Sequence, residues 1–218
     1  MDYNGVEIKK IAHDCFMIKG SESKKVIYVD PYKVNGGDYE PGDIILITHM
    51  HSDHCSPPDI RMLSDLNTVI ITVADCQSKL SGLEVKGVSL VEPGEKLTIQ
   101  GLKIEAHAAY NINKFRSPGI PYHPKENQWV GFVIEIDGVR IYHTGDTDVI
   151  PEMQQIQNID VALLPVSGTY VMTAEEAAKA ANIIKPKLAI PMHYGVIVGD
   201  MSDAEKFKEL CDCPVQII

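Results

Sequence analysis

Three of the chain's eight histidines crowd into THMHSDH, as His49, His51 and His54, with Asp53 directly before the last of them. Neutral imidazole and carboxylate oxygen are ligands for zinc and neighbouring divalent ions. The apolar run DIILIT leads into the cluster and is long enough for a buried strand, so the histidines fall on the loop at that strand's end. Residues two apart on extended backbone point to one side, which pairs His49 with His51. Asp53 and His54 follow where the chain turns. Four such ligands need not serve one ion; a carboxylate beside a histidine can serve a second ion close by.

Three later strand ends carry one such residue each. LKIEAHAAYN ends in His107, VRIYHTGDTD presents Asp146 in a glycine-containing turn, and KLAIPMHYG ends in His193. Strand ends from separated segments meeting at one edge of a sheet commonly build an active site.

The elements needed to bring these ends together can be read from the pattern. The first half is mostly strands: VEIKKIAHDCFMIKG reads as two around a polar turn, followed by KKVIYVDPY, DIILITH and NTVIITVA. PPDIRMLSDL reads as a helix with proline near its start, and ADCQSKLSG as a short helix closed by Gly82. WVGFVIEIDGVRIYHTGDT is the clearest hairpin, turning at Asp137-Gly138. Strand and helix then alternate. PEMQQIQN, TAEEAAKAANIIK (capped by Thr173 with Glu176 three residues on) and DAEKFKELC are helices, and PVQII is a last strand. Strands first and alternation later imply packed sheets with helices outside.

With 218 residues, 44% of them hydrophobic, and no repeat or linker-like tract, the chain reads as one domain spanning 1–218. The formal net charge of −10 counts against nucleic acid as a partner. No run approaches the roughly 20 apolar residues of a membrane span, and the polar start MDYNGVEIKK lacks the apolar stretch of a signal peptide, which makes the cytoplasm the expected location. Five irregularly spaced cysteines do not make a disulfide framework, and the Cys211–Cys213 pair offers too few ligands for a structural zinc site.

The motif set resembles the metallo-β-lactamase superfamily, from the VIYVDPY strand to the MHYG strand. HTGDTD, DVALLPVSG, TAEEAAKAA and AIPMHYG are similar to a subgroup of metal-dependent hydrolases near the ascorbate-6-phosphate lactonases and the N-acyl-phosphatidylethanolamine phospholipases D. The resemblance implies an α/β fold, a four-layer αββα sandwich with a two-metal site at one edge. It implies that His49, His51 and His107 hold one ion and Asp53, His54 and His193 the second, with Asp146 bridging them. Asp30, in VDP, then supports the ligand loop. The stretch AHAAYN departs from the His-Thr-Pro-Gly-His of glyoxalase II-like members, which argues against a thioesterase of that type.

The implied reaction is hydrolysis by a metal-bridging hydroxide, with Asp53 orienting the nucleophile. Zinc is the first expectation for both ions, with manganese or iron as alternatives. The segment YNINKFRSPGIPYHPKENQ, 110–128, has no clear period and reads as a lid. Its Lys114, Arg116 and Lys125 suggest a small anionic ester, lactone or phosphodiester as substrate, and His123 is the candidate general acid. His13 and His143 are read as ordinary turn and strand residues, with His143 facing outward. Tyr194 stands between a substrate contact and a packing role, and Cys55 is a weaker candidate ligand. Two other functions compete: a nuclease or nucleotide phosphodiesterase, and a non-catalytic metal-binding or sensor protein. Edge strands leave homo-oligomerisation open.

Overall fold

The computed structural model describes residues 1–34 and 37–218. Two sheets account for nearly all of the strands. In the first, β1 (Asp2–Tyr3), β2 (Val6–Ala12), β3 (Cys15–Gly20), β4 (Val26–Val29), β5 (Ile44–Ile47), β6 (Val69–Thr72) and β7 (Gly87–Leu90) lie side by side in chain order. The pairs up to β3–β4 are antiparallel, and those from β4 to β7 are parallel. The strands β4, β5 and β6 are VIYV, IILI and VIIT, apolar throughout and buried on both faces, as parallel strands between two layers must be.

The second sheet begins with β8 (Lys96–Ile99) and β9 (Leu102–Ala108). A small separate hairpin follows, β10 (Phe115–Ser117) and β11 (Ile120–Pro121). The sheet then continues with β12 (Val130–Ile136), β13 (Val139–His143), β14 (Val161–Pro165) and β15 (Leu188–Met192), in the spatial order β15-β14-β13-β12-β9-β8. Asp137 and Gly138 both have positive φ, the requirement of the two-residue turn joining β12 to β13. One apolar cluster joins residues of both sheets, among them Phe16, Ile45, Phe132 and Ile141.

The helices cover the outer faces unequally. On the first sheet they are α1 (Pro57–Met62) and a 3-10 segment, Ala74–Leu80. On the second, α2 (Ala174–Ile184) and α3 (Met201–Leu210) pack together, burying Ala177, Ala181 and Phe207 in a cluster that includes Ala162 and Leu164. Thr173 and Glu176 form the expected capping box. The segment PEMQQ is a 3-10 turn rather than an α-helix, and PVQII contributes a single bridge, Ala189 to Val215, rather than a strand. No helix among the described residues is long and apolar enough to cross a membrane.

Strand direction decides which loops meet. The parallel β4 and β5 end at Asp30 and Thr48, and β3 runs antiparallel with Phe16 opposite Val29, so the β2–β3 turn at His13 and Asp14 lies at that same end. In the second sheet β13, β14 and β15 are parallel and end near Asp146, Ser167 and His193, while the antiparallel β12 starts there at Val130. All of these ends open on one edge of the sandwich.

The turn carrying Asp146 leaves no room for a larger residue at Gly145. Its φ is +63°, and a Cβ there would stand 2.8 Å from the carbonyl oxygen of Val130 and 3.2 Å from the Thr48 side chain. Gly145→Ala is therefore expected to destabilise the fold by about 1–3 kcal/mol, read as a lower midpoint in chemical denaturation; an unchanged midpoint would show that this turn is not fixed by the close approach.

Candidate metal centre

Six imidazoles and three carboxylates converge at the sandwich edge, in three groups, two of which share His193. His49, His51 and His123 form one. Asp14, His54, Asp146 and His193 form the second, and His13, Asp53 and His193 the third; within each, the ligand atoms lie within 4.8 Å of one another. Asp146 links them. Its carboxylate stands 3.1 Å from His123 Nε2, 3.3 Å from His193 Nε2 and 3.5 Å from His54 Nε2.

Neighbouring polar groups set which ring nitrogen faces the centre. The Thr48 hydroxyl donates to Asp30 Oδ2 at 2.7 Å and so accepts from His49 Nδ1, 3.0 Å away. Asp30 also accepts from the Thr48 N–H at 2.8 Å and from His54 Nδ1 at 2.8 Å. Asn111 Oδ1 accepts from both the N–H and Nδ1 of His123, at 2.9 and 2.8 Å. Ser167 Oγ lies 2.9 Å from His193 Nδ1. Four rings thus have Nδ1 engaged and Nε2 turned inward, the orientation that second partners give to metal-binding histidines. His51 differs: its Nδ1 lies 2.9 Å from His49 Nε2.

Buried atoms without a hydrogen-bond partner among the described residues include His54 Nε2, His123 Nε2, Asp146 Oδ1, both ring nitrogens of His13 and both carboxylate oxygens of Asp14. Leaving one such group unsatisfied costs roughly 1–3 kcal/mol, more when it is charged. A divalent cation would satisfy several at once, so the donor set fits metal ions.

The electrostatics agree. Burial, then repulsion from the neighbouring imidazoles, holds His49 well below the ordinary histidine range, and the same causes lower His51 to about 4. Both are neutral at pH 7. His54 and His193 go the other way. Burial opposes their charge, but Asp146, with Asp30 for one and Asp14 for the other, outweighs it; His54 is held well above the ordinary value and His193 at about 9. Asp146 stays ionised despite complete burial because those imidazoles face it.

His107, expected beside His49 and His51, is not in any of the three groups. It lies inside β9, opposite Gly131, where Leu102, Ile104 and Ala106 are buried and Lys103, Glu105 and His107 take the alternate face. Its Nε2 lies 3.5 Å from Glu105. His123 stands with His49 and His51 instead. The segment 110–113 is tied to the Asp146 turn by Thr147 and Asp148, whose carboxylate accepts from the N–H groups of Ile112 and Asn113 at 2.6 and 2.8 Å, and Asn111 then draws His123 in. His123 Nδ1 is held by Asn111, and its Nε2 stands 3.1 Å from Asp146 at the floor of a surface cavity.

Other readings also change. His13 is fully buried in the β2–β3 turn, with Nε2 3.5 Å from Asp53. His143 does not face outward: it is fully buried, accepts from the Gly145 N–H at Nδ1 and donates from Nε2 to the Asp14 carbonyl, tying one sheet to the other. Tyr194 is a packing residue, buried with the Lys10 ammonium over its ring. Cys55 is a buried free thiol outside the three groups. Lys114 pairs with Glu176 and Asp148, and Lys125 with Glu152, whereas Arg116 is exposed on β10 with no acid partner among the described residues. The single tryptophan, Trp129, packs its ring 4.8 to 5.6 Å from those of His49, His51 and His123.

Comparison with known proteins agrees with this architecture. A family model described as a beta-lactamase superfamily domain matches residues 7–193. A UPF0173 metal-dependent hydrolase of Thermoplasma acidophilum is 34% identical over 210 residues, covering 91% of this chain and 87% of that protein. The crystal structure of a candidate metal-dependent hydrolase from Parabacteroides distasonis matches with a TM-score of 0.84 at 35% identity, over 97% of this chain and 92% of the other. A metallo hydrolase from the archaeon Ignicoccus hospitalis shares the fold at 23% identity, with a TM-score of 0.76 over 98% and 94% of the two chains. The protein belongs to the beta-lactamase superfamily, and its αββα sandwich is the metallo-β-lactamase fold.

Two measurements follow. Asn111→Ala is expected to weaken zinc binding by about 10–100-fold, through loss of the partner that orients His123, while His107→Ala leaves it unchanged; the reverse order in a competition titration would restore His107 to the site. In the metal-free chain, the raised pKa values of His54 and His193 stabilise the fold below pH 6.5, and that contribution is lost as pH rises through about 9. Zinc uptake at pH 7 must displace those protons, so an indicator dye should record proton release and affinity should rise with pH; uptake without proton release would contradict these directions.

Proposed function

We propose that the centre holds two divalent ions, one among His49, His51 and His123 and the other among Asp53, His54 and His193, with Asp146 between them. Zinc is the first choice, with manganese or iron fitting the same donors. The chain is a metal-dependent hydrolase, and a small ester, lactone or phosphodiester is its substrate. The observation carrying this reading is the set of inward Nε2 atoms around a buried carboxylate, each ring fixed by a separate partner on its far side. His13 and Asp14 stand beside the second group and complete its surroundings.

When bound, such ions supply Lewis acidity and lower the pKa of water toward neutrality. The protein supplies the rest. Asp53 is partly exposed and lines the cavity above the cluster, so it is the carboxylate placed to orient an incoming water. Burial of Asp146 and His54 keeps bulk water from the inner side, which strengthens every charge interaction there. Proton delivery to the leaving group passes to a hydroxyl of the cavity wall, where Ser52, Tyr122 and Tyr170 are available.

The test is hydrolysis by the chain stripped of metal and then reloaded. Activity on a panel of small esters, lactones and phosphodiesters is expected to disappear with chelator, return with zinc or manganese, and fall at least about 100-fold in Asp53→Ala. Bound metal with no turnover on any member would favour the non-catalytic reading.

A further inference from the structure

The cavity over the cluster is walled by a different chemistry from its floor. Its volume is about 390 Å³, room for a compact organic body. The floor is His51, Asp53, His123 and Asp146, and the walls are Tyr32, Tyr122, Tyr170 and Ile197. The Tyr122 and Tyr170 rings meet edge to face with centroids 4.6 Å apart, a preferred aromatic arrangement. Tyr170 is held at φ +71° and its carbonyl accepts from Asn111 Nδ2 at 2.9 Å, so the residue that positions His123 also fixes this wall.

The apolar character continues outward. Ile197 and Tyr170 are 46% and 36% exposed. The β10–β11 hairpin feeds straight into the wall, because Tyr122 extends its pairing through a bond to the Lys114 carbonyl. Phe115 and Ile120 on that hairpin are 48% and 46% exposed. Residues two apart on an extended edge share a side, which aligns Ile120 with Tyr122. Large apolar side chains gathered around a polar site mark a binding surface.

Cations are missing from this lining. No lysine or arginine is among the residues that wall the cavity, and the nearest ring contact is exposed Lys33, whose ammonium lies 5.5 Å from the Tyr32 centroid. Of the basic lid residues, Lys114 and Lys125 are engaged elsewhere, and Arg116 is exposed on β10, outside the lining. The protein therefore offers the body of a substrate aromatic and aliphatic surface rather than positive charge.

We propose that the cavity takes a small substrate whose hydrolysable group is attached to an aromatic or compact apolar body, that group on the histidine floor and the body between Tyr122, Tyr170 and Ile197. This rests on the hydrolase reading and names its substrate class. The volume suits one small molecule rather than a polymer, and the net charge of −10 is unsuited to a nucleic acid.

The experiment uses the full chain loaded with zinc and two non-hydrolysable probes, methylphosphonate and 1-naphthylphosphonate, with affinities from titration calorimetry. Naphthylphosphonate is expected to bind at least tenfold tighter, and the ratio to fall toward one in Tyr170→Ser and Ile197→Ser. Equal affinities, tighter methylphosphonate or binding of neither probe overturns the proposal. A naphthyl preference that survives both substitutions also overturns it, since the body would then sit elsewhere. Capture of phosphatidylcholine vesicles without any naphthyl preference would assign the apolar rim to a membrane instead. Turnover is scored separately: hydrolysis of methyl esters with equal probe affinities removes this inference and leaves the hydrolase standing, whereas naphthyl preference without turnover of any ester, lactone or phosphodiester removes the hydrolase reading and leaves only an apolar binding site.

Discussion

A buried carboxylate cannot remain ionised unless something compensates for the water it has lost, and Asp146 is such a group. Three imidazoles from three parts of the chain face it, His54 after the first sheet's β5, His193 after the second sheet's β15, and His123 at the foot of the lid. Without them the charge would be untenable, and without the charge His54 and His193 would lose the cause of their raised proton affinity. The two sheets are thus joined at this edge by electrostatics as well as by apolar packing deeper in the sandwich. A cation placed among these groups takes over the part played by the protons.

That arrangement needs a rigid surround, and the backbone records the strain. His13, Asp30 and His193 all have left-handed φ values near +50° to +60°, a conformation non-glycine residues adopt at a cost. Asp30 is held by Thr48 and His54 after the neighbouring β5, and His193 by Ser167 after the neighbouring β14. The His13–Asp14 turn is held by His143. The outer partners fix ring orientation before any ligand arrives, which lets a solvent-shielded site act without reorganising.

Much of this was legible in the sequence because the relevant signals are local. His49, His51, Asp53 and His54 are consecutive neighbours after an apolar strand, and Asp146 and His193 likewise follow apolar runs, so strand recognition located them. The capping box at Thr173 and the turn at Asp137-Gly138 are also short-range. The place of His13 and Asp14 is not legible locally, because it depends on β3 lying antiparallel beside β4, a long-range fact. His123 was placed in the lid without its partner, since the Asn111 contact spans a segment with no periodicity. His107 is the instructive case: the alternation in LKIEAHA already turns it from the core face occupied by Leu102, Ile104 and Ala106. The tail PVQII is apolar enough for a strand, but it meets β15 at a single bridge.

The central claim is that this edge binds two ions around Asp146, and anomalous diffraction at the zinc edge from crystals grown with zinc measures it directly. The account predicts two peaks, one among His49, His51 and His123 and one beside Asp53, His54 and His193, with Asp146 between. A single peak, or a first site built on His107 in place of His123, would contradict it.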